Sequence, residues 1–138
     1  MTEAPNWNQR TIDEFRAHKG KVGGIFEGKH LLLLSSIGAK SGQRRINPLA
    51  YLPDGDRLII FATKRGAPTN PDWYYNLLAH PEATVEVGTE EFAVTASVVQ
   101  GAERDQLYAR QVAVTPAFGD YEQKTSRKIP VIALKRHR

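Results

Sequence analysis

No cysteine occurs among the 138 residues. That single absence excludes disulfides, iron–sulfur clusters and cysteine nucleophiles together. No apolar run approaches the length that spans a bilayer; the longest strongly apolar stretch is residues 31–34. Residues 1–9 carry no basic segment followed by an apolar one, so no secretory signal is expected and the cytoplasm is the default compartment. The four histidines, His18, His30, His80 and His137, stand at no metal-ligand spacing, and no cysteine can complete a site, so no metal is expected. There is no Gly-x-Ser-x-Gly elbow and no ordered Ser–His–Asp set, which leaves a hydrolase weakly supported. Internal repeats and low-complexity linkers are also missing.

What is present is ordinary globular composition, with 41% hydrophobic and 25% charged residues. Such a chain has enough apolar material for one core, so residues 1–138 read as a single domain. Charge is unevenly spread. Residues 10–65 carry 11 Lys/Arg against 5 Asp/Glu, residues 66–123 carry 2 against 9, and residues 124–138 carry 6 and no acid. A basic front and tail around an acidic middle suit one local anion site; a solvated charge pattern with no ligand fits composition equally well.

Periodicity and turn chemistry outline the elements. Residues 11–18 read as a short helix with Ile12, Phe15 and Arg16 at helical offsets. Gly20, Gly23, Gly24 and Gly28 then interrupt the chain. Residues 30–36 and 45–52 read as strands around a polar turn at 37–44. Pro53-Asp54-Gly55-Asp56 signals a hairpin whose return strand is 57–63. Asn70-Pro71-Asp72 opens a helix that ends at Pro81, with Asn70 the expected cap. Strands at 84–87 and 92–99 flank Gly88-Thr89. Residues 101–114 form a helix with Leu107 and Val114 on one stripe and Tyr108 and Val112 on another. A strand at 129–134 closes the pattern. Roughly six strands and three helices, dominated by hairpins, predict an α+β fold: an antiparallel, mainly β barrel with helices packed outside.

Two basic segments carry the functional argument. Gly38-Ala39-Lys40-Ser41-Gly42 lacks the order of a Walker A loop, but glycines let amides converge on an anion, and Lys40, Arg44 and Arg45 supply charge. Alone, this segment reads better as an exposed basic hairpin turn than as an anion site. If strands 45–52 and 57–63 pair, Arg44 and Arg45 come beside Lys64 and Arg65, and a pocket for phosphate or carboxylate results. On the helix after Asn70, Trp73–Leu77 and Tyr74–Leu78 are i,i+4 pairs suited to core packing. Asn76 is harder to place in a core, because a buried amide needs partners.

Three motifs together resemble the deazaflavin-dependent nitroreductase family, also known as F420H2-dependent reductases. They are Gly38-Ala39-Lys40-Ser41-Gly42-Gln43-Arg44-Arg45-Ile46-Asn47-Pro48-Leu49; then Asn70-Pro71-Asp72-Trp73-Tyr74-Tyr75-Asn76-Leu77 with Ala79-His80-Pro81; then Tyr121 through Lys124-Thr125 and Arg127 to Ile129-Pro130. The resemblance runs from about Trp7 to Leu134. It implies a split β-barrel and reduced coenzyme F420, a deazaflavin with a phosphodiester and oligoglutamate tail. It implies that Lys40, Arg45 and Lys64 contact that tail, with Ser41, Gly42 and Arg65 beside them. Asn47, Pro48 and neighbouring backbone would flank the ring, and Asn76 would lie on the cofactor side. Where nitroreductase members carry substrate-side tyrosines, this chain has Ala50, Thr115 and Phe118, and retains Tyr121.

Such a cofactor donates hydride to an electron-poor double bond, so quinones, enones, unsaturated lactones and nitro compounds are the expected small-molecule acceptors. Tyr121 and Thr63 are the hydroxyls expected to position the acceptor or deliver a proton. A non-catalytic carrier of the deazaflavin or of a lipid-like ligand is the alternative. Nucleic acid is not expected as a partner, because aromatic residues do not interleave a basic face and the acidic middle breaks any continuous track. Peripheral contact with a membrane surface and the oligomeric state stay open.

Overall fold

The computed structural model describes residues 7–23 and 30–137. Seven strands form one antiparallel sheet: β1 (Leu31–Ile37), β2 (Arg44–Ala50), β3 (Leu52–Asp54), β4 (Arg57–Phe61), β5 (Glu82–Val87), β6 (Glu90–Val99) and β7 (Val131–Arg136). Their order is β2-β1-β5-β6-β7-β4-β3. The two edge strands, β2 and β3, are therefore neighbours in sequence, separated only by Tyr51. One residue cannot cross a flat seven-stranded sheet, where strands lie about 4.8 Å apart. The sheet must curl until its edges approach, and because β2 pairs with β1 but not with β3 or β4, the barrel stays split along that seam. Pro48 sits in β2, a strand whose second edge needs no ladder donors.

Alternation along the strands sets what each face buries. Leu32 and Leu34 point into the barrel with Ile60, Val85, Val94, Ile132 and Leu134. Leu31 and Leu33 point outward, under Ile12 and Phe15 of α1 (Trp7–Ala17) and beside Ile46. Burial on both faces is why β1 is a continuous leucine run rather than an alternating one. On the far outer face, Ile59, Phe61, Val131 and Ala133 meet Leu107 and Tyr108 of α3 (Gly101–Val114). Each such large apolar side chain contributes about 1.5–3 kcal/mol by leaving water. The buried Arg104 guanidinium donates to Ile129 O at 3.2 and 2.7 Å, and Tyr108 donates its hydroxyl to Phe118 O at 2.7 Å. These bonds fasten α3 to the start of β7 and to α4 (Ala117–Lys124).

Several expectations need correction. The sheet has a seventh strand because Tyr51 divides the expected 45–52 strand, leaving Leu52–Asp54 as a separate arm. The pairing of 45–52 with 57–63 does not occur. Only three residues, 52–54, pair with β4, across the tight turn at Gly55-Asp56, while all of β2 is taken by β1. Helix α4 had no strong periodic signal and was not expected. Helix α2 (Asp72–Ala79) does not lie outside the barrel alone: its Trp73 and Leu77 join the interior cluster and plug one end. Leu78 of α2 and Val114 of α3, read as core, are exposed. Asn70 is not the cap of α2; Pro71 holds that position without a side-chain bond. Gly24 and Gly28 lie outside the described residues.

A charged knot fastens the β3–β4 hairpin to α3. Arg57 bonds Asp54 and Glu103, and Arg110 bonds Asp54 at 2.9 Å. Hydrogen bonds from Arg57 and then Arg110 hold the Asp54 carboxyl below the usual carboxylate range. A depressed carboxylate stabilises the fold above its unfolded pKa near 4, and that contribution disappears as pH falls through the folded value. Asp54→Asn is therefore expected to cost about 1 kcal/mol at pH 7, roughly 3 °C in Tm. Thermal melts across pH should show the gap between the two proteins closing below about pH 4. A gap that persists unchanged there would mean that packing, not charge, joins the hairpin to α3.

Candidate functional site

The turn between β1 and β2 is built to present Lys40. Gly38 N donates to Gln43 O at 2.7 Å, Gly42 N to Gly38 O at 2.9 Å, and Gln43 N to Ser41 Oγ at 3.1 Å. Gly42 has φ +70°, and a Cβ on Gly38 would stand 2.5 Å from Ser41 Oγ, so both glycines are dictated by geometry. Asn76 of α2 is buried and pins this turn from below. Its Oδ1 accepts from Ala39 N at 2.9 Å, and its Nδ2 donates to Ser36 Oγ at 3.4 Å. The partners that a buried amide demands are thus the turn itself.

Register separates the two arginines that follow. Arg45 stands opposite Ser36 and Arg44 opposite Ile37. Successive strand residues face opposite sides, so Arg45 and Asn47 share a side with Leu49, which packs on the barrel interior. Arg44 lies on the α1 side, donating to Ser35 Oγ at 3.0 Å and approaching Glu91 at 3.8 Å. Lys40 and Arg45 are exposed and make no ion pair or hydrogen bond with the described residues. Both line an open cavity of about 1140 Å³ between this turn, α1 and α2. Its wall carries four cations, Arg16, Lys40, Arg44 and Arg45, against one carboxylate, Asp72. Arg16 is held by Glu86 at 3.0 and 2.7 Å. Ser41, Asn47 and Asn76 complete the expected residues there, whereas Pro48 is buried on the opposite face of β2, across from Leu33.

Lys64 and Arg65 do not line this cavity, because the strand pairing that would have carried them to it is absent. They form a separate turn after β4. Lys64 (φ +46°), Arg65 (φ +54°) and Gly66 (φ +81°) are three consecutive left-handed residues. Each non-glycine residue there costs on the order of 1–2 kcal/mol, so surrounding structure must impose the conformation. Two features do. Tyr121 O and Lys124 of α4 crowd Gly66 so closely that a Cβ would stand 2.9 and 2.8 Å from them. Arg127 then grips the segment: Nε donates to Ala67 O at 2.9 Å, Nη2 to Thr63 O at 2.7 Å, and Nη1 to Ala62 O at 3.1 Å and Asn70 Oδ1 at 2.7 Å. Desolvation pushes the Arg127 pKa down. Lys64 Nζ reaches Thr69 Oγ1 at 3.1 Å.

The expected hydroxyls lie with this second group. Thr63 precedes the turn, and the Tyr121 ring stacks obliquely on Phe118 at 5.5 Å, within an aromatic cluster that includes Phe61 and Tyr108. Neither hydroxyl bonds a described residue, which leaves both open to a ligand. Thr115 is buried at the end of α3, and Phe118 lies one helical turn beyond it. The role of Arg127 was not visible beforehand, although it lies in the third motif. An arginine among Pro, Ser and Lys signals nothing until its acceptors are known.

A sequence model of the F420H(2)-dependent quinone reductases matches residues 7–136. The chain belongs to that family. An F420H(2)-dependent quinone reductase of Mycobacterium tuberculosis (strain ATCC 25618 / H37Rv) is 39% identical over 128 residues, covering 88% of this chain and 85% of that protein. The solved F420-H2 dependent reductase FDR-A is 33% identical, with a TM-score of 0.70 over 76% of this chain and 93% of that one. A chain solved as a domain-swapped dimer is 30% identical, with a TM-score of 0.72 over 96% of this chain and 100% of that one. As a member of the F420H(2)-dependent quinone reductase family, the protein is an enzyme, its cofactor is reduced coenzyme F420, and its curled sheet is the family's split barrel. Membership favours the enzyme over the carrier. No helix among the described residues is long and apolar enough to cross a membrane.

Proposed function

We propose that this member reduces quinones and related electron-poor double bonds, namely enones, unsaturated lactones and nitro compounds, and that Lys40 and Arg45 hold the anionic tail of its cofactor. One observation carries the reading: two exposed, unpaired cations, Lys40 on a pinned turn and Arg45 on the strand that follows, line a cavity whose wall is four cations to one acid. Unpaired cations near one another repel, so an arrangement that leaves them without carboxylates is suited to an anionic ligand. The opening is large enough for an extended molecule.

When bound, reduced F420 supplies a hydride. The chain's own contribution is placement. Lys40 and Arg45 neutralise the tail, with Lys64 and Arg65 on the neighbouring turn adding charge. Ser41 and Gly42 shape the Lys40 turn, and Asn76 locks it. Asn47 and the unpaired edge of β2 around Pro48 offer polar backbone and a flat wall along the barrel seam, where a planar ring fits. Thr63 and Tyr121 present free hydroxyls that orient the acceptor and return a proton to it. The aromatic cluster beside Tyr121 keeps that region poor in water. The Mycobacterium relative is named for quinone reduction, which supports the acceptor class.

F420 is expected to bind this protein more tightly than FMN, by about tenfold or more, because FMN lacks the extended row of tail charges. Each exposed tail contact is worth on the order of 1 kcal/mol or less, so affinity should also fall with added salt. Isothermal titration with both cofactors at two ionic strengths checks this. Equal affinities, or a preference for FMN, would remove the basis for placing a polyanionic tail at Lys40 and Arg45.

A further inference from the structure

The Arg127 guanidinium does not line the Lys40 cavity, yet it gathers acceptors from both sides of the strained turn that carries Lys64. Ala62 O and Thr63 O precede the turn, Ala67 O follows it, and Asn70 Oδ1 lies at the approach to α2. Only a planar fork with several N–H groups can satisfy four acceptors spread in this way. Asn70 is drawn into the same network at its other end, donating Nδ2 to Tyr75 Oη at 3.2 Å. Tyr75 and Asn76 of α2 line the cavity, and Asn76 fixes the Lys40 turn. Hydrogen bonds thus tie Arg127 to Asn70 and Asn70 to Tyr75 of α2, and the next residue of that helix, Asn76, bonds the Lys40 turn.

We infer that Arg127 is a positioning residue for cofactor binding, which holds residues 64–66 in their left-handed conformation so that Lys64 stands where the tail passes. This rests on the proposed contact between Lys64 and the tail. Without the guanidinium, the carbonyls of Thr63 and Ala67 that bracket the turn lose their donor, and relaxation at Lys64 toward ordinary backbone angles swings the lysine head off its line. Partial burial of Arg127 against backbone carbonyls rather than carboxylates fits this role. The group is spent on conformation, and it makes no ion pair with the described residues.

The test uses Arg127→Lys, which keeps the charge and stem but cannot span the four acceptors. Folding is checked first by thermal melting. Amide exchange at residues 63–67 is then expected to accelerate, with the barrel strands unchanged. With a quinone acceptor, the KM for F420H2 should rise about tenfold while kcat at saturating cofactor is kept. The affinity for a deazaflavin lacking the tail should not change. In a Lys64→Ala background the same replacement should add less than about twofold, because the lysine it positions is already gone. Equal losses for the full-length and tail-less cofactors, full additivity with Lys64→Ala, or unaltered exchange at 63–67 would each overturn the inference. Lys64→Ala alone reports separately on the underlying reading: if it leaves F420 affinity unchanged, Lys64 is not a tail contact, whatever Arg127 does to the turn.

Discussion

Arg45→Ala is expected to weaken F420 binding about ten- to a hundredfold, a loss of roughly 1.5–3 kcal/mol, while leaving the melting temperature unchanged. Arg44→Ala is expected to do the reverse. The two residues are adjacent, carry the same charge and line the same cavity, so charge alone does not distinguish them. Their bonds do. Arg45 makes none with the described residues, so removing it orphans no protein group, and its whole effect falls on the ligand. Arg44 donates to the buried Ser35 and faces Glu91 on the α1 side. Its loss should cost about 0.5–1.5 kcal/mol of stability and change affinity less than about threefold. Parallel titrations and melts of the two single mutants decide the matter. If Arg44→Ala damages binding as much as Arg45→Ala, the tail crosses to the α1 side of β2, and the site must be redrawn around Arg16 and Arg44.

The contrast also shows which kind of inference the sequence supports. Opposite facing of Arg44 and Arg45 follows from period-two alternation, and the register opposite Ile37 and Ser36 agrees with it. Turns were equally legible: Gly55-Asp56 and Gly88-Thr89 each close two-residue hairpins because their glycines supply the positive φ such turns require. Helix α3 spans 101–114 as its amphipathic pattern requires. Partner choice among strands was not legible. A hairpin signal at Pro53–Asp56 names a turn without saying how far its arms run. Tyr51 stops the pairing after three residues, since β2 is claimed by the leucine run of β1. The strand pairing expected to bring Arg45 beside Lys64 is absent for that reason.

Side-chain roles were hidden for a different reason. Asn70 looked like a helix cap because Asn-Pro-Asp is good capping chemistry, but the carbonyl that would cap α2 is taken by Arg127. Asn76 looked anomalous in an apolar helix, and it was; its amide serves a turn 37 residues earlier in the chain. Such long-range polar pairings carry no periodic trace. What exposes them is the mismatch itself, a polar residue on a face that packs. Arg127 gave no mismatch at all, lying in a polar stretch where an arginine excites no notice.

Asn76→Leu is expected to cost about 2–3 kcal/mol of stability, roughly 6–9 °C in Tm, the largest loss for any single polar replacement at the site. Leucine keeps the branching at Cγ and is somewhat larger, so the change removes hydrogen bonds without opening a cavity. Ala39 N loses its acceptor in a partly buried place, and the buried Ser36 loses the amide that donates to its Oγ. The released turn should also lower F420 affinity about tenfold, because Lys40 no longer has a fixed base. Asn76→Asp separates the two effects. Its carboxylate keeps an acceptor for Ala39 N, so the fold should lose less than with leucine. It also places a negative charge beneath Lys40, where it competes with the tail for that cation, so F420 affinity should fall at least as far as with leucine. Both variants are measured by melting and by titration with F420 and with a tail-less deazaflavin. If Asn76 acts through the turn, the tail-less cofactor is indifferent to both changes. If it touches the ring directly, the tail-less cofactor loses as much affinity as F420, and Asn76 moves from the support of the site to its surface.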